Sequence, residues 1–379
     1  MDFKFNEDQQ LLQSMFAEFV EGAVAPEAAE RDATEHFPED LIPQMGEVGM
    51  MGIMVEEDFG GVQLGMTETV MAVEEIAKAC ASTAITVAIH NTLACWPIQK
   101  FGSDDQKGTY LPDMAAGEKL GAFALTEPNA GSDAAGVRTT AEDKGDYWLL
   151  NGNKIFITNG SYADVYIVIA QTNKAAGKKG MSAFIVEKGM DGFQFGSKEK
   201  KMGIRGSATY ELIFDNVKLP KENLLGKEGE GMKIALAAID GVRIAVAAQA
   251  VGIAQSAIDL AANYVKERTQ FDSTIASFQN TQFTLAEMKT RVEAARLLTY
   301  RAAAAMDAGE EYASAAAMAK MFASETASYV AGKAINLYGG YGFSREYPVE
   351  RLYRDAKITE LYAGTTEIQK LVVARGMGL

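Results

Sequence analysis

The segment LYAGTTEIQKLV, residues 361–372, places small residues and two hydroxyls directly ahead of an apolar, helix-periodic tail. Thr365, Thr366 and Glu367 stand where that helix would begin, and the unpaired amides of a first helical turn attract an anion. Thr366 with Gln369 has the spacing of a capping box, so a plain helix cap is the competing reading. Ala363, in the middle, has no side-chain chemistry. A second candidate is TEPNAGSDAAG, residues 126–136, where Thr126, Ser132 and flexible Gly131 offer hydroxyls and close backbone approach to a phosphate or a ring edge. A third is the polar trio His90, Asn91 and Thr92, which interrupts the apolar run TVAIHNTLACWPI and reads on its own as a helix end with a polar cap.

Other glycine clusters carry less. GKEGEGMKIAL and YGGYGFS read as helix entry and helix exit. No G-x-G-x-x-G lies between a strand and a helix and no Walker lysine is present, which argues against a Rossmann dinucleotide domain. A formal charge of -15, with no run of Lys and Arg, argues against nucleic acid and anionic membrane surfaces as partners. Cys80 and Cys95 are the only cysteines, too few for a zinc site or a disulfide framework, so no metal is expected and both read as buried thiols in a reducing cytoplasm. The start, MDFKFNEDQQLLQSMF, is acidic and amphipathic, unlike a signal peptide, and no stretch reaches 18 uninterrupted apolar residues, so no membrane span and a cytoplasmic location are expected.

The elements that must position these groups fall into three parts. A chain of 379 residues, 48% of them apolar, is long enough for two or three packed units. Residues 1–120 repeat apolar positions at three and four, as in LLQSMFAEFV, and predict a helical domain. Residues 121–227 change to short β-branched and aromatic runs such as VYIVIA, MSAFIV and YELIF, which predict a compact antiparallel β domain. Asn151-Gly152, between YWLL and KIFI, predicts a hairpin turn there. Residues 228–379 return to Ala-rich helical periodicity, expected of long helices packed closely in a bundle.

Six motifs in unbroken order, FALTEPNAGSDAAG, NGNKIFITNGSYAD, KMGIRGSATYELIFDNVKLPKENLLG, ERTQF, YGGYGFSREYPVERLYRDAKI and LYAGTTEIQKLV, together resemble the acyl-CoA dehydrogenases over nearly the whole chain. The resemblance implies an α+β fold: an N-terminal helical domain, a central antiparallel β domain and a C-terminal four-helix bundle. It further implies FAD between the β domain and the bundle, a homotetramer built as a dimer of dimers, an acyl-CoA substrate and an electron-transferring flavoprotein as partner.

Matched position by position, the resemblance puts Phe123, Leu125, Thr126, Gly131 and Ser132 along the flavin, with Ser132 also near the CoA chain, and packs Phe156, Ile157 and Thr158 on the isoalloxazine. Arg268, Gln270, Phe271 and Gln279 match the segment that reaches the FAD of a neighbouring subunit. Asn336, Leu337, Tyr338, Gly339 and Gly340 take a QILGG-like position, with Asn336 in place of the usual Gln. Thr365, Thr366 and Glu367 match residues at the adenosine diphosphate. Asp240 and Arg243 match a CoA contact, Arg243 near its adenosine or phosphate end, and Gly364 lies beside the thioester, where backbone amides would polarise the carbonyl.

Ordinary members remove the α proton with a carboxylate while the β hydrogen leaves as hydride to the flavin, and the base must lie within hydrogen-bond reach of that proton. Its usual seat is Ala363 here, and the seat used by a minority, one residue before Arg243, is Val242. Neither accepts a proton. The expectation is therefore lost catalysis, or a substrate without an α hydrogen, such as cyclohex-1-ene-1-carboxyl-CoA in anaerobic aromatic or alicyclic acid metabolism. A 1,4-elimination on that ring takes its proton from the far wall, where the branch's relocated Asp falls at Asn91, which is isosteric but not basic. His90 is the other candidate on that wall. The rivals are a conventional short-chain acyl-CoA dehydrogenase or reductase, and a non-catalytic flavin-binding protein like the DNA-associated relatives, whose basic face this acidic chain lacks.

Overall fold

The computed structural model describes residues 4–379. Its first part is helical: α1 (Glu7–Phe19), α2 (Ala28–Thr34), α3 (Leu41–Glu47), α4 (Met66–Ala79), α5 (Ala81–Ile89), α6 (Trp96–Phe101) and α7 (Asp104–Ala115). Side chains that answer the unpaired first-turn amides set the starts of α1 and α7. Asn6 and Gln9 close a capping box on α1, and Ser103 with Gln106 closes one on α7. Between α5 and α6 the helix widens to a π turn over His90–Cys95, wholly buried.

The central part is a sheet of β1 (Gly121–Ala124), β2 (Thr140–Asp143), β3 (Tyr147–Thr158), β4 (Val165–Gln171), β5 (Met181–Glu187), β6 (Phe193–Lys198), β7 (Thr209–Pro220) and β8 (Leu224–Leu225). The order is β6-β7-β3-β2-β4-β5-β8, with β1 beside β4. Two features differ from the sequence reading. The sheet is mixed, because β1 and β2 each pair with β4 in parallel while the other pairings are antiparallel. Asn151-Gly152 is not a turn: YWLL and KIFI belong to one twelve-residue strand, and the pair sits at a register break opposite β7. Gly152, at φ 141°, passes so close to Thr139 that a Cβ there would lie 2.6 Å from its hydroxyl, so the glycine serves a bulge and a close crossing.

The last part is built on α8 (Gly231–Glu267), α9 (Gln279–Asp307) and α10 (Ala313–Tyr338), closed by α11 (Val349–Ile358) and α12 (Thr366–Gly376). Alanines on the facing surfaces are fully buried, among them Ala245, Ala247, Ala319, Ala323 and Ala327, which lets the helix axes approach closely. At Gly252 of α8 the contact with α4 is tighter still, since a Cβ would stand 2.4 Å from Glu74 O. Among the described residues α8 alone is long and apolar enough to cross a membrane, but its most apolar window is 78% buried inside the protein, the mark of a core helix. A two-stranded arm, β9 (Thr269–Gln270) and β10 (Ser273–Thr274), projects between α8 and α9.

Candidate functional site

The loop from Leu361 to Thr365 joins α11 to α12 through two consecutive left-handed residues, Ala363 at φ 53° and Gly364 at φ 92°. A non-glycine residue costs free energy in that region and persists only where its surroundings hold it. Three side chains do so by gripping the carbonyls. Gln369 Nε2 donates to Ala363 O at 3.1 Å and Gly364 O at 2.8 Å, Lys320 Nζ donates to Gly364 O at 2.8 Å, and Arg243 Nε approaches Ala363 O at 3.4 Å. Among the described residues the amides of Ala363, Gly364 and Thr365 donate to no group. The capping box expected from Thr366 and Gln369 is absent: Thr365 caps α12, accepting from Ile368 N, because Gln369 is turned back to the loop. Thr366 Oγ1 and Gln369 Oε1 are left buried without a partner among the described residues.

Beneath the loop, Arg243 of α8 is 5% exposed and bound to Asp240 at 2.5 Å. Burial pushes the Arg243 pKa down and the Asp240 pKa up, each opposed by the other's charge. Arg243, expected near the adenosine or phosphate end of CoA, thus stands behind the loop as a buried guanidinium paired with Asp240. Val242, the alternative seat of the base, is buried in the α8 core. Tyr362 donates to Gln249, which donates to Ala81 O at 2.8 Å, tying the loop to α8 and α5.

The predicted flavin residues form a second group. Leu125 and Thr126 follow β1 and meet β3: Ile155 N donates to Thr126 O at 2.9 Å and Lys154 Nζ to Leu125 O at 2.9 Å. Phe123 and Ile157 are buried, Thr158 is half-buried, and Gly131 and Ser132 are exposed in the loop beyond. Phe156, at φ 58°, keeps 59% of its surface in solvent, an open aromatic face beside Thr126 and Thr158. A third group lines a cavity of about 430 Å³: Arg268, Gln270, Asn336, Leu337, Tyr338, Gly339 and Gly340, with the Arg268 guanidinium 5.4 Å from the Tyr341 ring centre. Phe271 is 88% exposed on the arm and Gln279 lies exposed at the start of α9.

On the far wall, both candidates are committed to backbone. Asn91 Oδ1 accepts from Ile53 N at 3.2 Å, and its Nδ2 donates to Met50 O and Val87 O at 2.8 and 3.1 Å. The amide brackets the 50–53 turn against α5. His90 Nδ1 accepts from Gly121 N at 2.9 Å, so Nε2 carries the proton and donates to Met114 O. Burial pushes its pKa down to about 4. With its one free lone pair used, His90 is no base for a substrate, which corrects that part of the reading.

The residues expected at a flavin fit one. The buried, unpaired Thr366 hydroxyl begins α12, and Gly131, Gly339 and Gly340 have open space where a Cβ would point. Comparison with known proteins settles the relationship. The acyl-CoA dehydrogenase N-terminal, middle and C-terminal domains match residues 6–118, 122–217 and 229–378. The chain belongs to the acyl-CoA dehydrogenase family. As a member it is an oxidoreductase acting on CH–CH bonds, with FAD as cofactor. It is 46% identical over 374 residues to the short-chain specific acyl-CoA dehydrogenase of Clostridium acetobutylicum, covering 99% of each chain. Among solved structures it is similar to butyryl-CoA dehydrogenase from Megasphaera elsdenii, with a TM-score of 0.98, 46% identity and full coverage of both chains. It is equally similar to a chain in a structure described as the electron transferring flavoprotein of Acidaminococcus fermentans, with a TM-score of 0.98, 50% identity and 100% and 99% coverage. The first two are named for short-chain substrates, and none of the three gives support to a cyclic one.

Sequence reasoning missed Lys320, Gln369 as a loop holder, and the Lys154–Glu127 pair. A single Lys inside the Ala-rich run AAMAKMFAS was the available signal, because a lone charge there is either a solvated face or a buried, employed group.

Proposed function

We propose that the protein carries out FAD-dependent oxidoreduction at the Cα–Cβ bond of a short-chain acyl-CoA thioester and exchanges electrons with an electron-transferring flavoprotein. The observation that carries this reading is the loop at Ala363–Thr365, where unpaired amides sit on a backbone whose carbonyls are clamped by Gln369, Lys320 and Arg243. Such amides suit a thioester oxygen, which gains negative charge as the α proton passes to water, Ala363 and Val242 offering no acceptor. The short-chain relatives favour a small acyl group. Bound FAD supplies hydride acceptance or donation. Phe123, Leu125, Thr126, Gly131, Ser132, Phe156, Ile157 and Thr158 would hold its flavin end. Asn336, Leu337, Gly339, Gly340, the side chains of Thr365 and Thr366, and Glu367 would hold its diphosphate end, with Arg268, Gln270, Phe271 and Gln279 reaching a second subunit of a homotetramer. The exposed Phe271 supports that assignment. Ser132, Ala363 and Gly364 contact the acyl-CoA, and Asp240 and Arg243 support the loop from behind. A cytoplasmic location accompanies this reading.

A second reading is favoured by the two empty seats, Ala363 and Val242: a 1,4-elimination on a cyclic enoyl-CoA, with the proton leaving toward the Asn91 wall. Anaerobic titration of the FAD-loaded protein with butyryl-CoA and with cyclohex-1-ene-1-carboxyl-CoA, followed by the flavin's visible absorbance, tests both. Bleaching by butyryl-CoA supports the first reading. Bleaching by the cyclic ester alone, faster in Asn91→Asp, replaces it with the second. Saturating CoA esters that leave the spectrum unperturbed overturn both.

A further inference from the structure

Lys320 lies within α10 with no exposed surface, and among the described residues its ammonium forms no ion pair. A buried cation without a carboxylate is costly and is retained where its charge is used. Its hydrogen-bond acceptor is Gly364 O, 2.8 Å away. That carbonyl belongs to the peptide whose other end is the unpaired amide of Thr365. Gln369 donates in the same sense to Ala363 O, the carbonyl end of the peptide that carries the unpaired Gly364 amide. A donor on the oxygen of a peptide polarises it and makes its N–H a stronger donor, so two consecutive peptides are polarised from behind toward whatever accepts in front.

We propose that Lys320 is a positioning residue for the acyl thioester, its ammonium fixing and polarising the Gly364–Thr365 peptide so that the loop's free amides bind the thioester oxygen. This rests on the acyl-CoA reading and extends it to a residue that touches neither substrate nor flavin. The charged groups acting on Lys320 come from each neighbouring element: Arg243 of α8, itself paired with Asp240, Glu360 in the turn after α11, and Glu367 in α12. Burial, reinforced by Arg243, pushes Lys320 down to about 7, with Glu360 and Glu367 opposing. The charge is therefore present in mild acid and lost above neutrality, while the neutral amine keeps the hydrogen bond without the polarising charge.

The test is calorimetric binding to the FAD-loaded protein of acetyl-CoA, which has the thioester but no β carbon to oxidise. Desulfo-coenzyme A serves as reference for titration of the shared phosphates and adenine. Between about pH 6 and about pH 8.5 the affinity ratio of the two ligands falls roughly 3- to 10-fold in the unmodified protein, the scale of losing charge assistance from one hydrogen bond. Lys320→Met gives a flat, low ratio, and Lys320→Arg a ratio that stays high across the range. A pH-independent ratio in the unmodified protein that nonetheless favours acetyl-CoA overturns the role of Lys320 and leaves the acyl-CoA reading standing, as does Lys320→Met with an unchanged profile. A ratio of one at every pH overturns both. If Lys320→Met fails to retain FAD, the unmodified profile and Lys320→Arg decide alone.

Discussion

Lys154 and Glu127 form an ion pair of 2.8 Å in which the lysine is wholly buried and the carboxylate nearly so. The same carboxylate accepts from Arg138 N at 2.7 Å and Thr139 N at 2.9 Å, and the same lysine donates to Leu125 O. One pair thus locks the loop carrying Thr126 and Ser132 to the strand carrying Phe156 to Thr158. Burial raises the Glu127 pKa, but Lys154 and the hydrogen bonds outweigh it and leave the carboxyl lowered. Burial pushes Lys154 down to about 8 against the pull of Glu127.

Removing one member leaves the other charged and buried. Lys154→Met is expected to cost roughly 3–5 kcal/mol in urea unfolding and to weaken FAD retention, while Glu127→Leu with Lys154→Met recovers much of the stability. The sign with pH follows from the lowered carboxyl. Its contribution is complete above the ordinary Glu range near about pH 4.3 and is lost as pH falls through the depressed folded value. Acid unfolding should therefore begin at higher pH in Glu127→Gln than in a surface control such as Glu325→Gln.

Ala363 already occupies the left-handed region, so Ala363→Glu adds a carboxylate without adding backbone strain. With the loop amides in place to hold a thioester, a base at this position should raise the rate of flavin bleaching by butyryl-CoA by about 10²–10⁴-fold, the range of general-base catalysis. Stopped-flow absorbance measures it. No gain would mean that the acyl group is not seated against this loop.

The helical, β, helical order was legible because periodicity reports burial on each element. What failed depended on contacts distant in sequence. Asn151-Gly152 carries a turn signal, yet β2 and β7 flank β3 and the crossing of Thr139 claims the glycine for a bulge. Thr366 and Gln369 have capping spacing, yet the carbonyls of a strained loop win the glutamine. The contacts of Arg243 with Asp240 and Ala363 O likewise join residues that its motif does not link. Ala363 was singled out by the resemblance of the motif around it, which places the family's usual carboxylate there.

Asn91→Asp tests the bracket on the far wall. The new carboxylate would face Met50 O and Val87 O, which now accept from the amide, and would keep only the donor from Ile53 N. Two lost donors in a buried site predict a loss of roughly 2–5 kcal/mol, larger at pH 8 than at pH 5 because the protonated acid restores one donor. Thermal unfolding at the two pH values measures the difference, and an Asp with undiminished stability at both would show that the site relaxes or hydrates.

Asp307, near the end of α9, caps a helix from another part of the chain. Its carboxylate accepts from Met66 N at 2.6 Å, Thr67 N at 2.9 Å and Thr67 Oγ1 at 2.6 Å, at the positive end of α4. Gly65 leaves room for it, because a Cβ there would stand 2.5 Å from Asp307 Oδ1 and displace the carboxylate. Asp307→Ala removes these bonds and should lower stability by about 1–2 kcal/mol, with Asp307→Asn losing less because its oxygen still accepts. Urea unfolding checks the ranking. Since α4 packs on α8, whose Arg243 backs the site loop, hydrogen exchange in α4 should rise in Asp307→Ala while that of β3 stays unchanged. Uniform loosening of both would mean that the cap stabilises the fold globally rather than the α4–α9 junction.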